Sequence, residues 1–420
     1  FTVRRDGSSV FGANNKYGVF PSVALGWNIA NESFMEKNQD WLNNLKLRLS
    51  YGKSGNEAIS VYQAITTMNS IKLPMESSLN VGMVTNTLGN SNLTWETTKS
   101  FNFGLDFGLW NNRLSGTIDV YSARTNDLLL KRKLPTATGF DEVYANMGET
   151  ANKGIELTLN SRNIVTRDFQ WSSTLVFSMN KNKIVDLYGD KTSDIGNRWF
   201  IGEPIDVIYD YTKVGIWQED EIAAGLNKDW DPIAKAGDVK LADLNGDGQI
   251  TDEDRTVLGQ KSPKWIGGLT NTFSYKDFSL SVFIQTVQGA MRNNGSIGMA
   301  SDELQRRNSF AEIGYWTPEN KSNEWRSLGE NSNPHGYGFP YKANYTRIKD
   351  ITLSYNFPQK LITKMGIGGL NLYASGRNLY TFTNWIGWDP EERDDTRGSG
   401  NWDINYPSVR SIVFGINLTF

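Results

Sequence analysis

The stretch best equipped for chemistry is Asp243-Leu-Asn-Gly-Asp-Gly-Gln-Ile-Thr-Asp-Glu-Asp254. Set against a twelve-residue cation loop, Asp243, Asn245 and Asp247 take positions 1, 3 and 5, and Gly248 takes the sharp turn at 6. Gln249 offers its backbone carbonyl at 7, Thr251 acts at 9 through water, and Asp254 closes the set at 12, where an EF-hand has Glu. Hard oxygen ligands at these spacings can wrap one Ca2+, with Ile250 anchoring the loop inward. No pair of long helical patterns flanks the loop, so the expected role is a structural calcium brace, not a switch. The same spacing also builds an Asx-turn loop that needs no metal.

Other candidates are weaker. His335 lies in Asn-Pro-His-Gly-Tyr-Gly, and a lone His with no Cys cannot build an ordinary zinc site. Gly366–Gly369 lacks the Gly-Lys-Ser/Thr ending of a phosphate loop. The run Asp389-Pro-Glu-Glu-Arg-Asp-Asp reads as a solvated loop face. No pairing of nucleophile, base and orienting carboxylate is visible, so the chain is not expected to be an enzyme. Aromatic residues crowd the regions between patterned segments. Trp199, Trp217, Trp316, Trp385 and Trp388 are the rings put forward for stacking on sugar or peptide cargo, against the alternative that they pack the loops themselves.

The elements that carry these loops alternate in polarity. In Ser408–Phe420, Ile412, Phe414, Ile416, Leu418 and Phe420 share one parity, and Ser411, Gly415, Asn417 and Thr419 share the other. Phe101, Phe103, Leu105, Phe107 and Leu109 repeat the pattern against Asn102, Gly104, Asp106 and Gly108. Leu45, Leu47 and Leu49 enclose Lys46 and Arg48, a placement suited to a water-facing lumen. Twelve strands are expected: 1–5, 16–29, 43–55, 94–110, 113–130, 151–162, 168–181, 264–275, 277–288, 341–357, 367–381 and 408–420. Short connections (111–112, 163–167, 275–277, 358–366) alternate with long ones (56–93, 131–150, 182–263, 289–340, 382–407). That is the habit of an antiparallel transmembrane β-barrel with periplasmic turns and long extracellular loops. The 182–263 segment is then a large extracellular loop carrying the 243–254 motif, with Pro204–Gln218 inside it as a hairpin above the membrane.

Composition fits this reading. The 420 residues include 40 Gly, 12% aromatics, one His and no Cys, and mean hydropathy is −0.47. Alternating strands hide from a hydropathy average. A net charge of −3 gives no signal for nucleic acid. No signal peptide opens the chain at Phe1-Thr-Val-Arg-Arg, so the expectation is the C-terminal part of a longer polypeptide.

Several phrases resemble one family. They are Asn44-Leu-Lys-Leu-Arg-Leu-Ser-Tyr-Gly-Lys-Ser-Gly-Asn56, Asn92-Leu-Thr-Trp-Glu-Thr-Thr-Lys-Ser-Phe-Asn-Phe-Gly-Leu-Asp-Phe-Gly108, Asn152-Lys-Gly-Ile-Glu-Leu157, Trp316-Thr-Pro-Glu-Asn320, Tyr345-Thr-Arg-Ile-Lys-Asp-Ile-Thr-Leu-Ser-Tyr-Asn-Phe-Pro358, Asn378-Leu-Tyr-Thr-Phe-Thr-Asn384 and Gly387-Trp-Asp-Pro-Glu391. Together they look like the SusC/RagA-like TonB-dependent outer-membrane transporters, from about residue 16 to the end. The resemblance implies the C-terminal ~12 strands of a ~22-stranded barrel, in the outer membrane of a Gram-negative bacterium. It implies import of oligosaccharides or peptides, TonB acting through a plug domain absent here, and a SusD-like surface lipoprotein as partner. Residues 1–420 alone would leave two sheet edges facing lipid. Two rivals stay open: a self-contained porin or autotransporter-type barrel, in which the first and last strands pair, and a soluble calcium-braced carbohydrate-binding module.

Overall fold

Segments that alternate apolar and polar side chains can present one face to each environment only as strand, and twelve of them pair into one antiparallel sheet. In the computed structural model, which describes residues 1–75, 78–294, 313–329, 332–363, 366–387, 389–391 and 408–420, sheet order follows chain order. The strands are Thr2–Gly7, Tyr17–Asn28, Leu42–Asn56, Glu96–Leu109, Leu114–Asn126, Glu149–Val165, Phe169–Asp186, Trp265–Tyr275, Phe278–Gln288, Tyr345–Asn356, Gly369–Thr383 and Ser411–Thr419. Each coincides with an expected strand to within a few residues. Thr2–Gly7 and Ser411–Thr419 stand at opposite ends of the order, and among the described residues they do not pair with each other as the self-contained twelve-strand barrel requires.

Two expected strands are shorter than their patterns. The 113–130 pattern stops at Asn126, where Asp127 turns to φ 60°, and Leu129–Lys133 leaves to pair with Glu142–Asn146. The 341–357 pattern is cut at Ala343-Asn344: the Asn344 side chain accepts the Gly289 N–H at 2.7 Å, and Pro340–Lys342 pairs separately with Met291–Asn293. Pro204–Gln218 stays out of the main sheet as expected, but not as a hairpin of its own. Val207–Tyr211 pairs with Arg255–Gln260 and Lys213–Ile216 with Val239–Leu241. Thr67–Met75 and Ser78–Thr87 form a further hairpin. The short turn after Glu96–Leu109 holds Trp110, Asn111 and Asn112 at φ 52–57°, a left-handed region that Asn tolerates.

The chain divides into two compact units, Phe1–Ser161 with Ser178–Ile205, and Arg162–Phe177 with Asp206–Phe420. Residues 182–205 fall in the first unit and 206–263 in the second. In the first unit the ladder aligns one apolar row: Leu25 faces Leu49, Leu49 faces Phe103, Phe103 faces Val120 and Val120 faces Ile155. Leu25 is 67% exposed, and Phe103 and Val120 are also exposed. The opposite face is ionic. Arg48 binds Asp106 and Asp119 through contacts of 2.8–3.0 Å, and Asn102 donates to Asp119 at 2.8 Å. Gly104 lies directly across from Arg48, and a Cβ there would come within 2.5 Å of the guanidinium.

The second unit repeats the arrangement. Val282 faces Ile351, and Leu280 faces Leu353, which faces Ala374, which faces Phe414. Phe414 is 79% and Ile416 65% exposed. Contiguous apolar rows of this extent do not stand in water. Among the described residues no second layer covers them, which speaks against the soluble carbohydrate-binding module, and lipid is the solvent that suits this face. On the other face, the Thr352 and Ser375 hydroxyls donate to the two oxygens of Asp350 at 2.7 and 3.0 Å.

Candidate functional site

The long connections of the second unit build a small core of their own. Tyr211, Ile216, Val239, Leu241 and Ile250 from residues 206–260 pack with Trp316, Tyr337 and Phe339 from the next long connection. Sequence reasoning missed this fusion, because no local pattern shows that two connections a hundred residues apart share one interior.

The fusion decides where the expected rings lie. Trp217 is fully enclosed: Trp230 meets it edge-on at 5.3 Å, and Lys240 Nζ sits 4.2 Å from its centroid while pairing with Glu221 at 2.6 Å. Trp316 is buried, with Nε1 donating to Gln218 Oε1 at 2.9 Å. Both rings brace this core and present no open face to a ligand. Trp385 is half-buried beside Ile386, which packs against the same core. Trp199 is half-buried in the first unit, in a two-way backbone bridge with Asp194. Trp388 lies outside the described residues.

The 243–254 loop is tightly wound. Asp243 accepts the N–H groups of Gly246 at 2.6 Å and Gly248 at 2.9 Å. Asn245 Oδ1 accepts from Asp247 N–H, and Asp247 Oδ1 accepts from Gln249 N–H. Asp254 is wholly buried and accepts from Leu244 and Thr251 N–H, both at 2.8 Å; with Thr251 it forms a reciprocal cap over Asp252–Asp254. Gly248 holds φ 79°, where a Cβ would also lie 3.0 Å from the Asp229 carbonyl. Ile250 points into the core, as its position in the motif suggests. In residue type, order and turn the loop keeps the pattern of a cation loop; each Asp243 oxygen accepts one N–H and keeps a second lone pair, whereas Asp254 Oδ1 accepts from both Leu244 and Asn245 N–H. Among the described residues, however, no three His, Cys, Asp or Glu side chains are gathered as a metal cluster.

His335 sits in a turn, as a loop histidine would, with its side chain mostly covered. Its Nε2 lies 3.0 Å from Oδ1 of the buried Asp231, and its ring meets Tyr211 edge-on. Nearby, burial together with the charge of Asp231 pushes Asp238 above the usual carboxylate range, against the N–H of Lys235.

The acidic run at 389 is also not simply solvated. Asp389 and Glu391 close on Arg347, which is 2% exposed, at 2.5 and 2.8 Å. Arg347 Nε donates to Thr381, Lys349 pairs with Glu391 at 2.8 Å, and Ser408 N–H donates to Asp389. Burial pushes Asp389 up, but the N–H of Glu391, Arg347 and the N–H of Ser408 outweigh it and hold the carboxyl below its ordinary range. Both stems of the last long connection are thus tied to the polar face of the sheet.

Known proteins share this architecture. The family described as "TonB dependent receptor-like, beta-barrel" matches residues 1–379. TonB-dependent receptor P3 of Formosa agariphila is 36% identical over all of this chain and 44% of its own length. TonB-dependent receptor SusC of Bacteroides thetaiotaomicron is 31% identical over all of this chain and 42% of its own. The solved RagAB peptide transporter superposes with a TM-score of 0.80 at 28% identity, covering all of this chain and 45% of that one. The chain spans less than half the length of these relatives. With the sheet order, its exposed apolar face and these likenesses together, the chain belongs to the TonB-dependent receptor β-barrel family of the Gram-negative outer membrane.

Proposed function

We propose that residues 1–420 are the C-terminal wall of a SusC/RagA-type importer that passes oligosaccharides or peptides across the outer membrane without breaking a bond in them. The plug and TonB coupling belong to the remainder of the receptor, and a SusD-like lipoprotein caps the outer side. The observation that carries this reading is the two-faced sheet. Rows such as Leu25–Leu49–Phe103–Val120 suit lipid, while Arg48, Asp106 and Asp119 line the polar face. The relatives named SusC and RagAB support nutrient import, and the latter is a peptide transporter. Trp199 and Trp385 are the rings offered to cargo, with Trp217 and Trp316 holding the outer core from within. The test is uptake of labelled oligosaccharides and peptides by intact cells with and without the full-length receptor. Uptake should require the receptor and fall when the proton gradient is collapsed. Receptor-independent uptake of every cargo would defeat the reading.

We further propose that Asp243, Asn245, Asp247 and Asp254, with the carbonyl of Gln249 and a water on Thr251, hold a structural Ca2+. The ion would take the place of backbone N–H groups that now satisfy the Asp243 and Asp247 oxygens. Limited proteolysis of the full-length receptor checks this. Chelation should expose cleavage between 239 and 260, and Ca2+ but not Mg2+ should restore protection. Identical digestion in all three conditions argues for a metal-free loop.

A further inference from the structure

Three neighbouring strands, Phe278–Gln288, Tyr345–Asn356 and Gly369–Thr383, end outward in a cleft of about 630 Å³, the size of a small-molecule site. Gln288, Lys342, Asn344, Thr346, Phe382 and Asn384 are among the residues that line it. Its position relative to the lipid-facing rows is fixed by register. Thr346 faces Phe382 and Ile348 faces Tyr380 across the ladder, on the same parity as Ile351 and Leu353 once the bulge at 348–350 is counted. Tyr380 and Phe382 meet edge-on at 4.7 Å and are 52% and 56% exposed. Gln288 faces Trp265, whose ring lies 5.8 Å from Phe177. These four rings mark an aromatic band on the apolar side, at the end where the connections are long. Such bands sit at the headgroup level of a bilayer. Phe382 of this band is also part of the cleft wall.

Its chemistry suits a particular kind of headgroup. Lys342 is an exposed ammonium, and among the described residues no carboxylate lines the cleft to neutralise it. Asn344 accepts the Gly289 N–H through Oδ1, so its Nδ2 donors serve a ligand. Gln288 donates through Nε2 to Thr286 and the Tyr345 carbonyl, so its Oε1 is the acceptor. A cation, an amide donor and an amide acceptor beside an aromatic wall complement an anionic group carried on a polyhydroxylated ring. We propose that this cleft binds the phosphorylated sugar headgroup of a glycolipid in the outer leaflet, with the acyl chains lying along the apolar face past Phe382. The inference rests on the placement of that face in lipid and not on what is imported.

The experiment uses the full-length receptor extracted from outer membranes in mild detergent, with co-purifying glycolipid per receptor measured by mass spectrometry. Removing one charge-assisted contact should lower retention about tenfold in Lys342→Gln. Thr346→Trp, which fills the cleft, should lower it similarly, and dephosphorylated glycolipid added back should bind wild type no better than Lys342→Gln. Heat-modifiable migration on gels confirms that each variant is folded, and Lys342→Gln alters only an exposed side chain. Equal retention by wild type and both variants overturns the proposal, as does equal binding of phosphorylated and dephosphorylated lipid. Cargo uptake is read separately, so failed import with intact lipid binding counts against the import reading alone.

Discussion

Arg347 shows how one side chain decides the fate of a loop. It is buried against Asp389, Glu391, Thr381 and the Tyr345 ring, 5.1 Å away. Arg347→Met leaves Asp389 buried without its cation, and breaking such a pair costs on the order of 3–5 kcal/mol. Thermal unfolding of the full-length receptor should show that loss, and Asp389→Leu added to Arg347→Met should recover part of it; no recovery would mean that the pair is not coupled. Because the folded carboxyl of Asp389 is held below its ordinary range, its contribution is complete above the unfolded value and disappears as pH falls through the folded one. Asp238 has the opposite sign. Burial raises it, so whatever stability its carboxyl offers is present in acid and lost as pH rises through the folded value. Asp238→Asn, which keeps an acceptor for Lys235 N–H, should therefore raise the melting temperature at neutral pH and gain less near pH 4. A uniform gain across pH would show that charge is not the cause.

Strands were legible in the sequence because their period is local, and two-residue alternation survives whatever lies above or below the sheet. All twelve were expected, including Thr2–Gly7 and Trp265–Tyr275, each within a few residues of its observed ends. The hairpins of the long connections were not legible. Leu129–Lys133 and Thr67–Met75 find their partners only after the chain has turned back, and nothing in Leu-Leu-Lys-Arg-Lys announces it. The candidate site divides along the same line. The tight winding of Asp243–Asp254, though not its occupant, was readable because Asx and Gly chemistry acts over a few bonds, whereas the enclosure of Trp217 depends on a core assembled from two connections. The faces of a strand give the sharpest test at this scale. Val120 is exposed on the apolar face between Phe103 and Ile155, and Thr117 lies on the opposite face across from Asp106. Val120→Arg should destabilise the folded receptor in bilayers by about 2–4 kcal/mol, while Thr117→Arg should cost under ~1 kcal/mol. Equal penalties in urea titrations of vesicle-inserted protein would remove the lipid from the argument.

For the whole molecule the deciding fact is that the strand order has two ends. Thr2–Gly7 pairs on one side with Tyr17–Asn28, and Ser411–Thr419 pairs on one side with Gly369–Thr383. Each therefore offers a row of N–H and C=O groups that hydrocarbon cannot satisfy, at several kcal/mol per group. In the importer reading proposed above, neighbouring strands come from the rest of a longer receptor, and relatives more than twice as long as this chain have the length to provide them. Residues 1–420 expressed alone should accordingly insert poorly into vesicles and migrate on gels without a heat-modifiable, compact band. On that reading, co-expression with the remainder of a full-length receptor should restore that band, because the edges then find partners. If 1–420 alone yields a compact, heat-modifiable monomer, its first and last strands have found each other and the small self-contained barrel is the better description.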